Sequence, residues 1–294
     1  MRLPDFLIIG AMKSGTTTLF HDLLANPAVF FPADKEPDNL TSDEVLTPRG
    51  RAAYQRLYRD AGDEQVCGDA STGYSKLPDH PGVPERALRV LGPGVKIIYL
   101  VREPVARTIS QHKQELAAGD VDANIDRAVQ ACPRLVDFSR YAMQITPWIE
   151  AFGAPNVRIV RFEDYVADRR GVVSDLSGFL GIPVGTDRID TGRVYNPGEK
   201  MWVRSGALWR LTRSGLYRRC VRPWLSRDTR ARLRARLLRR APSSEAPPSL
   251  ATVDHILDRV RDDVVRLQRL AGWEQLPWDL AAVRERYAAV ERRR

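Results

Sequence analysis

The sequence has few cysteines, three among 294 residues, and they lie far apart at Cys67, Cys132 and Cys220. An odd number of scattered thiols argues against a disulfide-stabilised scaffold, and none of the spacings is typical of a zinc site. We therefore expect structural thiols in a reducing compartment.

Long apolar runs are also missing. No segment approaches the roughly 18 consecutive apolar residues of a membrane-spanning helix. Residues 1–5 lead directly into an apolar run at 6–9, without the basic and then apolar pattern of a secretory signal. These absences predict a cytoplasmic protein, and its 43% hydrophobic content is sufficient for a substantial core.

Short apolar runs alternate with helix-like segments, and no internal repeat is visible. This alternation predicts an α/β fold, with a parallel sheet flanked by helices and a ligand site at the carboxyl ends of the strands. The predicted strands lie near 6–9, 65–68, 96–101 and 157–162, and the predicted helices near 15–25, 104–118, 140–153, 171–180 and 252–271. We expect a single domain over 1–294, with an α/β core at 1–195 and a mainly helical C-terminal portion at 196–294.

The segment after the first predicted strand combines two glycines, Gly10 and Gly15, with Lys13 between them and three threonines behind them. A short apolar run that leads into such a loop and a helix start is typical of phosphate-binding sites. Backbone N–H groups and the positive end of the helix would face the anion, and Lys13 would add charge. The pattern predicts a site for a phosphorylated nucleotide.

This loop differs from that of proteins that bind nucleoside triphosphates. Their GxxxxGK[ST] pattern places Lys directly after the second glycine, whereas here Thr16 follows Gly15 and the lysine is Lys13. The strand at 96–101 ends in Arg102 instead of the Asp that helps to hold Mg²⁺ in many ATPases. We therefore expect a site that neutralises phosphate with Lys and Arg and uses no metal.

Two segments about eighty residues apart resemble the sulfotransferases that use 3′-phosphoadenosine 5′-phosphosulfate (PAPS), in particular the carbohydrate-type and bacterial members. LIIGAMKSGTTTLF at 7–20 is similar to their 5′-phosphosulfate loop, and IIYLVREPVARTISQHKQEL at 97–116 to their 3′-phosphate motif. The resemblance implies a sheet like that of P-loop NTPases. It continues in a strand at 157–164 that ends in an acidic pair, and in Phe179-Leu180-Gly181 at the end of a helix.

The resemblance also implies how the donor is held. Lys13 would stabilise the leaving oxygen, Arg102 and Ser110 would bind the 3′-phosphate, and Lys200 and Arg204 would belong to a loop that covers the nucleotide. The residues implied for the 5′-phosphate are Ser14, Gly15, Thr16, Thr17 and Thr18.

The acceptor side follows the family less closely. Glu36, in Lys35-Glu36-Pro37, occupies the position of the family's general base, but Pro37-Asp38 follows it where an aromatic pair is usual. Asp69 is a second candidate, although Ala70 follows it where the family tends to have Lys. The histidines lack a comparable motif and are interpreted as structural.

Arg140 and Tyr141 open the helix predicted at 140–153 and are candidates to line the acceptor cleft. For Tyr141, packing in the core is an alternative that the sequence leaves open.

Positive charge is concentrated in one segment, 204–240. It carries thirteen arginines and one acid, Asp228, whereas the whole chain has a net charge of +9. A solvated helix face, or contact with an anionic acceptor or a membrane surface, would explain this segment. Nucleic acid is not an expected partner because no recognition motif accompanies the charge.

The sequence thus predicts a PAPS-dependent sulfotransferase that acts on a hydroxyl, or as second choice an amine, of a carbohydrate or other polar small molecule. Two alternatives remain open: a metal-free relative of the nucleotide kinases that uses ATP, and a non-catalytic protein that binds a nucleotide or polyanion.

Overall fold

A five-stranded parallel sheet lies at the centre of the computed structural model, which describes residues 2–192 and 246–292. Its strands run in the order β2-β3-β1-β4-β5, and every pairing is parallel. The strands are β1 (Phe6–Gly10), β2 (Val29–Phe30), β3 (Val66–Ala70), β4 (Lys96–Val101) and β5 (Val157–Arg161). The predicted α/β class is confirmed; β2, with only two residues, is too short to leave a periodic signal in the sequence.

Helices cover both faces of this sheet because its central strands are apolar on both sides. In β1, Leu7 and Ile9 belong to one buried cluster while Phe6 and Ile8 belong to another, as the alternation of side chains along a strand requires. The helices are α1 (Thr16–Leu24), α2 (Pro48–Gln55), α3 (Val83–Leu91), α4 (Pro104–Ala118), α5 (Ile125–Ala131), α6 (Arg134–Asp137), α7 (Tyr141–Phe152), α8 (Phe162–Ala167), α9 (Arg169–Leu180), α10 (Leu250–Ala271) and α11 (Leu280–Glu291).

The middle of the sheet is a topological switch point. β1 lies between β3 and β4, so the chain that leaves β1 and the chain that leaves β4 emerge side by side at the carboxyl edge. In open parallel sheets this is where ligands bind. The fold therefore brings the loop after β1 close to Arg102, which follows β4.

One predicted strand was too long. The segment 157–164 is not a strand that ends in an acidic pair, because β5 ends at Arg161 and α8 begins at Phe162. Glu163 and Asp164 lie in the first turn of α8, where negative side chains interact favourably with the helix dipole.

Helix α10, in the C-terminal part of the chain, docks on α7 through an apolar face and a carboxylate. Asp263 accepts hydrogen bonds from the backbone N–H groups of Ala142 (2.7 Å) and Met143 (2.9 Å). It thus caps the start of α7, where Arg140 provides no side-chain cap. The buried apolar residues of α10 are Val253, Ile256, Leu257, Val260, Val264 and Leu267.

Some predictions concern residues outside the described ranges. Lys200, Arg204 and the segment 204–240 lie there, and the single domain over 1–294 stays a prediction. Among residues 2–192 and 246–292, no helix has the length and apolar character that crossing a membrane requires.

Candidate nucleotide and acceptor site

The loop between β1 and α1 has a backbone that leaves little freedom for substitution. Lys13 has a φ of 71° and Gly15, which precedes α1, a φ of 89°. A Cβ atom added at Gly15 would lie 2.9 Å from the ring of Phe162. Glycine is therefore required at this position both for its conformation and for the space it leaves.

This loop also holds an unsatisfied polar group. Ser14 is fully buried, and among the described residues its Oγ has no hydrogen-bond partner. Gly15 gives α1 no side-chain cap, so the first N–H groups of this helix also need an acceptor. A buried hydroxyl without a partner beside a helix N-terminus is the arrangement that an anionic group would satisfy.

Arg102 lies next to this loop and is fixed from three sides. Its side chain donates a hydrogen bond to the carbonyl oxygen of Lys13 (3.1 Å) and lies over the ring of Phe162, 4.7 Å from the ring centroid. The Tyr141 hydroxyl donates to the Arg102 carbonyl (2.6 Å) and lies 3.3 Å from the Arg102 backbone nitrogen, which donates to it. The two sequence motifs therefore meet at Arg102.

The rest of the second motif lies on α4 and has two different environments. Ser110 is partly exposed on this helix. Arg107, the motif's second arginine, is fully buried and donates to Ser139 Oγ and to Gln111 Oε1 (2.7 Å). Arg107 thus anchors α4 and is not available to a ligand.

Glu36 lies on the other side of the sheet's carboxyl edge. Its backbone N–H donates to the carbonyl of Ala70 (3.1 Å), the last residue of β3, and its Oε1 accepts from Lys35 Nζ (2.9 Å) and Thr72 Oγ1 (3.1 Å). Burial raises the pKa of this carboxyl, but the Lys35 charge and the two hydrogen bonds outweigh it, so that the net pKa is lowered. The side chain is 43% exposed, which leaves an ionised carboxylate accessible from solvent.

Asp38 is a neighbour of Glu36 that the sequence marked only as a departure from the family. Its Oδ1 is buried without a partner in the described part of the chain and lies against Gly73, where a Cβ would be 2.5 Å away. Burial, and next the charge of Glu36, raise the pKa of Asp38 to about 6. The two acidic groups therefore differ in their readiness to carry charge.

Asp69 lies beneath this pair and is fully buried. It accepts hydrogen bonds from the hydroxyls of Tyr54 (2.6 Å), Tyr74 (2.7 Å) and Ser71 (2.7 Å). Burial raises its pKa, and the three hydroxyl donors oppose that shift. Through its bonds to Ser71 and Tyr74, Asp69 orients residues 71–74. The substrate contact expected of Asp69 stays a prediction, and this arrangement does not support it.

The remaining pair lies near the start of α7. Arg140 is 33% exposed on its side chain and lies 3.7 Å from Asp137 Oδ1. Tyr141 is fully buried and packs against the rings of Tyr99 and Trp278. It therefore occupies the core position that the sequence left open, and acts on Arg102 through its hydroxyl.

Sequence reasoning missed Phe162 and Arg286 as parts of the site's surroundings. Phe162 directly follows the end of β5 at the same sheet edge. Its proximity to Arg102 and Gly15 could have been inferred from this position. Arg286 gives no such signal because its partner, Glu103, is remote in sequence.

Comparison with known proteins places these features in a family. The model of the sulfotransferase domain matches residues 3–195. Human heparan sulfate glucosamine 3-O-sulfotransferase 6 is 28% identical over 200 residues, which are 64% of this chain and 55% of that protein. The Caenorhabditis elegans bifunctional heparan sulfate N-deacetylase/N-sulfotransferase 1 is 24% identical over 197 residues, 62% of this chain and 22% of that protein. The chain spans about half the length of the first of these relatives and less of the second.

Solved structures agree with the fold. A sulfotransferase from Alicyclobacillus acidocaldarius superposes with a TM-score of 0.64 at 20% identity, covering 94% of this chain and 98% of its own. The sulfotransferase domain from the curacin biosynthetic pathway gives a TM-score of 0.50 at 17% identity, with coverages of 89% and 99%. Because the domain model spans well over half of the sequence, the chain belongs to the sulfotransferase domain family, as its two motifs predict.

Proposed function

We propose that this protein transfers a sulfuryl group from PAPS to a hydroxyl, or as second choice an amine, of a carbohydrate or other polar small molecule. The observation that carries the proposal is the meeting of the two motifs, where Arg102 donates to the carbonyl oxygen of Lys13. The two relatives compared above, one a 3-O-sulfotransferase and one an N-sulfotransferase, are consistent with both kinds of acceptor.

The donor would be held by groups of the two motifs, which meet at the carboxyl edge of the sheet. Ser14 Oγ and the backbone at the start of α1, including Gly15 and the threonines 16–18, would bind the 5′-phosphate. Arg102 and Ser110 would bind the 3′-phosphate, the arginine through its planar fork. Lys13 would neutralise the charge that develops on the leaving oxygen. PAPS itself supplies the activated sulfuryl group.

Glu36 would take the proton from the acceptor. Its lowered pKa keeps it ionised at neutral pH, and both of its hydrogen bonds use Oε1. In the described part of the chain Oε2 carries no protein bond and can accept from a hydroxyl. Thr72 orients this carboxylate and follows Ser71, which Asp69 holds in place.

Metal independence and a cytoplasmic location belong to this proposal. The first is supported by Arg102, a cation at a position where an ATPase would carry a carboxylate. The second is supported by the three scattered cysteines, which fit a reducing compartment. The Arg-rich segment 204–240 remains a candidate for contact with an anionic acceptor or membrane surface.

Thermal unfolding with nucleotides tests the donor site. We expect 3′-phosphoadenosine 5′-phosphate (PAP) to raise Tm in the presence of EDTA, because a ligand that binds only the native state stabilises it. Arg102→Ala should abolish this shift, whereas Arg127→Ala, which removes an exposed ion pair with Asp122, should not. A Mg²⁺-dependent shift with ATP and none with PAP would favour the kinase alternative instead.

A further inference from the structure

Helix α11 and the segment before it contact residues around Arg102, among them Tyr141, one of the three groups that fix it. We call residues 278–291 the C-terminal arm. The Trp278 ring packs on the ring of Tyr141, with centroids 5.7 Å apart, and Tyr141 brackets the Arg102 backbone. Residues far away in the sequence thus support the backbone from which Arg102 projects.

The arm also engages two carboxylates beside Arg102. Trp278 Nε1 donates to Glu163 Oε2 (3.1 Å), and Glu163 Oε1 accepts from the backbone N–H of Glu103 (2.9 Å). Arg286 donates to Glu103 Oε2 (2.9 Å). Glu103 in turn caps α4 by accepting from the N–H groups of Val105 and Ala106.

Arg286 pairs with the carboxylate of Glu103, the residue that directly follows Arg102. The carboxylates of Glu103 and Glu163 both lie at the carboxyl edge occupied by Arg102, and the Glu103 side chain is only 8% exposed. Burial raises the pKa of Glu103, whereas its helix-capping bonds and Arg286 oppose that shift. Without Arg286, this buried carboxylate keeps its helix-capping bonds but loses a cation that offsets its charge, in a medium that screens charge poorly.

We propose that Arg286 is a positioning residue of the 3′-phosphate site, where it neutralises Glu103 and so leaves the charge of Arg102 to the nucleotide. The inference rests on the proposed function, since it concerns the phosphate that Arg102 would bind. Arg286 acts through Glu103 and does not itself touch the nucleotide. Without it, Glu103 would attract Arg102 and repel the phosphate.

The test compares the affinities of PAP and 5′-AMP, which differ only in the 3′-phosphate. The readout is the selectivity ratio, the dissociation constant of AMP divided by that of PAP. Titration calorimetry with the full chain measures both constants. We expect Arg286→Ala to reduce this ratio about tenfold, roughly 1.4 kcal/mol, while the AMP affinity stays within about twofold. Arg286→Lys should keep most of the selectivity.

A double variant distinguishes two effects of Arg286 on the selectivity ratio: neutralisation of Glu103 and docking of the C-terminal arm. If Glu103 is the harmful group, Glu103→Gln combined with Arg286→Ala should restore the ratio to within about threefold of wild type. Arg284→Ala is the matched control because Arg284 lies on the same helix and pairs with Asp254 through two hydrogen bonds. It should leave the ratio unchanged.

The outcomes distinguish this inference from the proposed function. If Arg102→Ala abolishes the selectivity but Arg286→Ala leaves it intact, or weakens PAP and AMP equally, the role of Arg286 is refuted and the donor site stands. Failure of the double variant to recover would also refute it. A wild-type ratio near one would refute the 3′-phosphate site itself.

Discussion

Two regions at the sheet's carboxyl edge, one around Ser14 and Arg102 and the other around Glu36 and Asp38, differ in backbone constraint and in charge. On the proposed donor side, around Ser14 and Arg102, the backbone is constrained by glycine and by the Tyr141 hydroxyl, and the Arg102 side chain lies over the Phe162 ring. In the described part of the chain, the buried Ser14 hydroxyl there has no hydrogen-bond partner. On the acceptor side, Glu36 and Asp38 are adjacent carboxyls whose pKa values shift in opposite directions. The proposed donor side presents fixed backbone groups to an anion, whereas the proposed acceptor side combines two carboxyl groups with opposite pKa shifts.

This difference also explains why the family can be recognised from the sequence whereas the acceptor cannot. Binding phosphate through backbone groups constrains the chain at Gly15, where a side chain would meet Phe162. Binding an acceptor constrains only which polar groups face it. The departures from the family pattern accordingly fall at Asp38 and Ala70 and leave the donor motifs intact.

The largest effect is expected for Glu36, where substitution should lower turnover and leave PAP binding intact. Glu36→Gln should lower kcat by about 10²–10⁴-fold, the contribution of a general base, because the amide cannot accept the proton. PAP affinity should stay within about twofold of wild type. Steady-state turnover with an accepted substrate and PAP calorimetry together measure this. Glu44→Gln is the control, because Glu44 is an exposed acid in the short helical segment 43–46 that the proposal gives no role. Unchanged turnover would remove Glu36 as the base.

Gly15→Ala tests the rigidity of the donor side. The substitution combines a positive φ with a Cβ 2.9 Å from Phe162, and we expect a loss of about 3 kcal/mol in the free energy of unfolding. Gly181→Ala is the matched control because Gly181 has a φ of 68° but nothing within 4 Å of the added Cβ. Its loss should be about 1 kcal/mol. Equal losses in urea titrations would mean that the packing of Phe162 on the loop is not restrictive.

Ser14→Ala tests whether the unpartnered hydroxyl serves the ligand. Without nucleotide the variant should be as stable as wild type or slightly more stable, since a buried unsatisfied group is removed. PAP affinity should fall about tenfold because one hydrogen bond to a charged group is lost. Ser177→Ala removes an equally buried hydroxyl that is bonded to the Val173 carbonyl, so it should destabilise the protein and spare PAP binding. The reverse pattern would contradict the account of the donor side.

The smallest expected effect concerns Asp38 and pH. The folded pKa of about 6 is above the ordinary 3.8, so the protonated form favours folding, and this contribution is lost as pH rises through 6. Asp38→Asn should therefore be more stable than wild type by about 1 kcal/mol at pH 8, after allowance for partial exposure, and should lose this advantage near pH 4.

The groups that set this titration are Glu36 and Asp69, which raise the pKa of Asp38, and Lys76 and His80, which lower it. Thermal unfolding of both proteins between pH 4 and 8 measures the difference. An advantage that does not depend on pH would show that Asp38 does not carry the shifted pKa.

Much of the donor side could be predicted from the sequence because its signals are local. The Gly-Lys-Gly loop after an apolar run, and Arg102 after a second run, each report their own structure, and parallel strands bring their ends together. The sequence predicts strand at the start of α8 because Phe162 continues the apolar pattern of β5. In the structure, β5 ends at Arg161 and α8 begins at Phe162.

Long-range partners could not be predicted. The burial of Asp69 depends on two tyrosines at positions 54 and 74, and the capping of α7 depends on Asp263, more than a hundred residues away. Arg286 and Glu103 are equally remote. Such contacts have no periodicity or spacing in the sequence, since they are determined by how helices pack.

A crystal structure of the protein with PAP bound would test the proposed donor site most directly. We expect the 5′-phosphate within hydrogen-bond distance of Ser14 Oγ and the start of α1, and the 3′-phosphate on the guanidinium of Arg102. A nucleotide bound elsewhere, or one whose 3′-phosphate does not contact Arg102, would contradict the claim that the two motifs form one donor site.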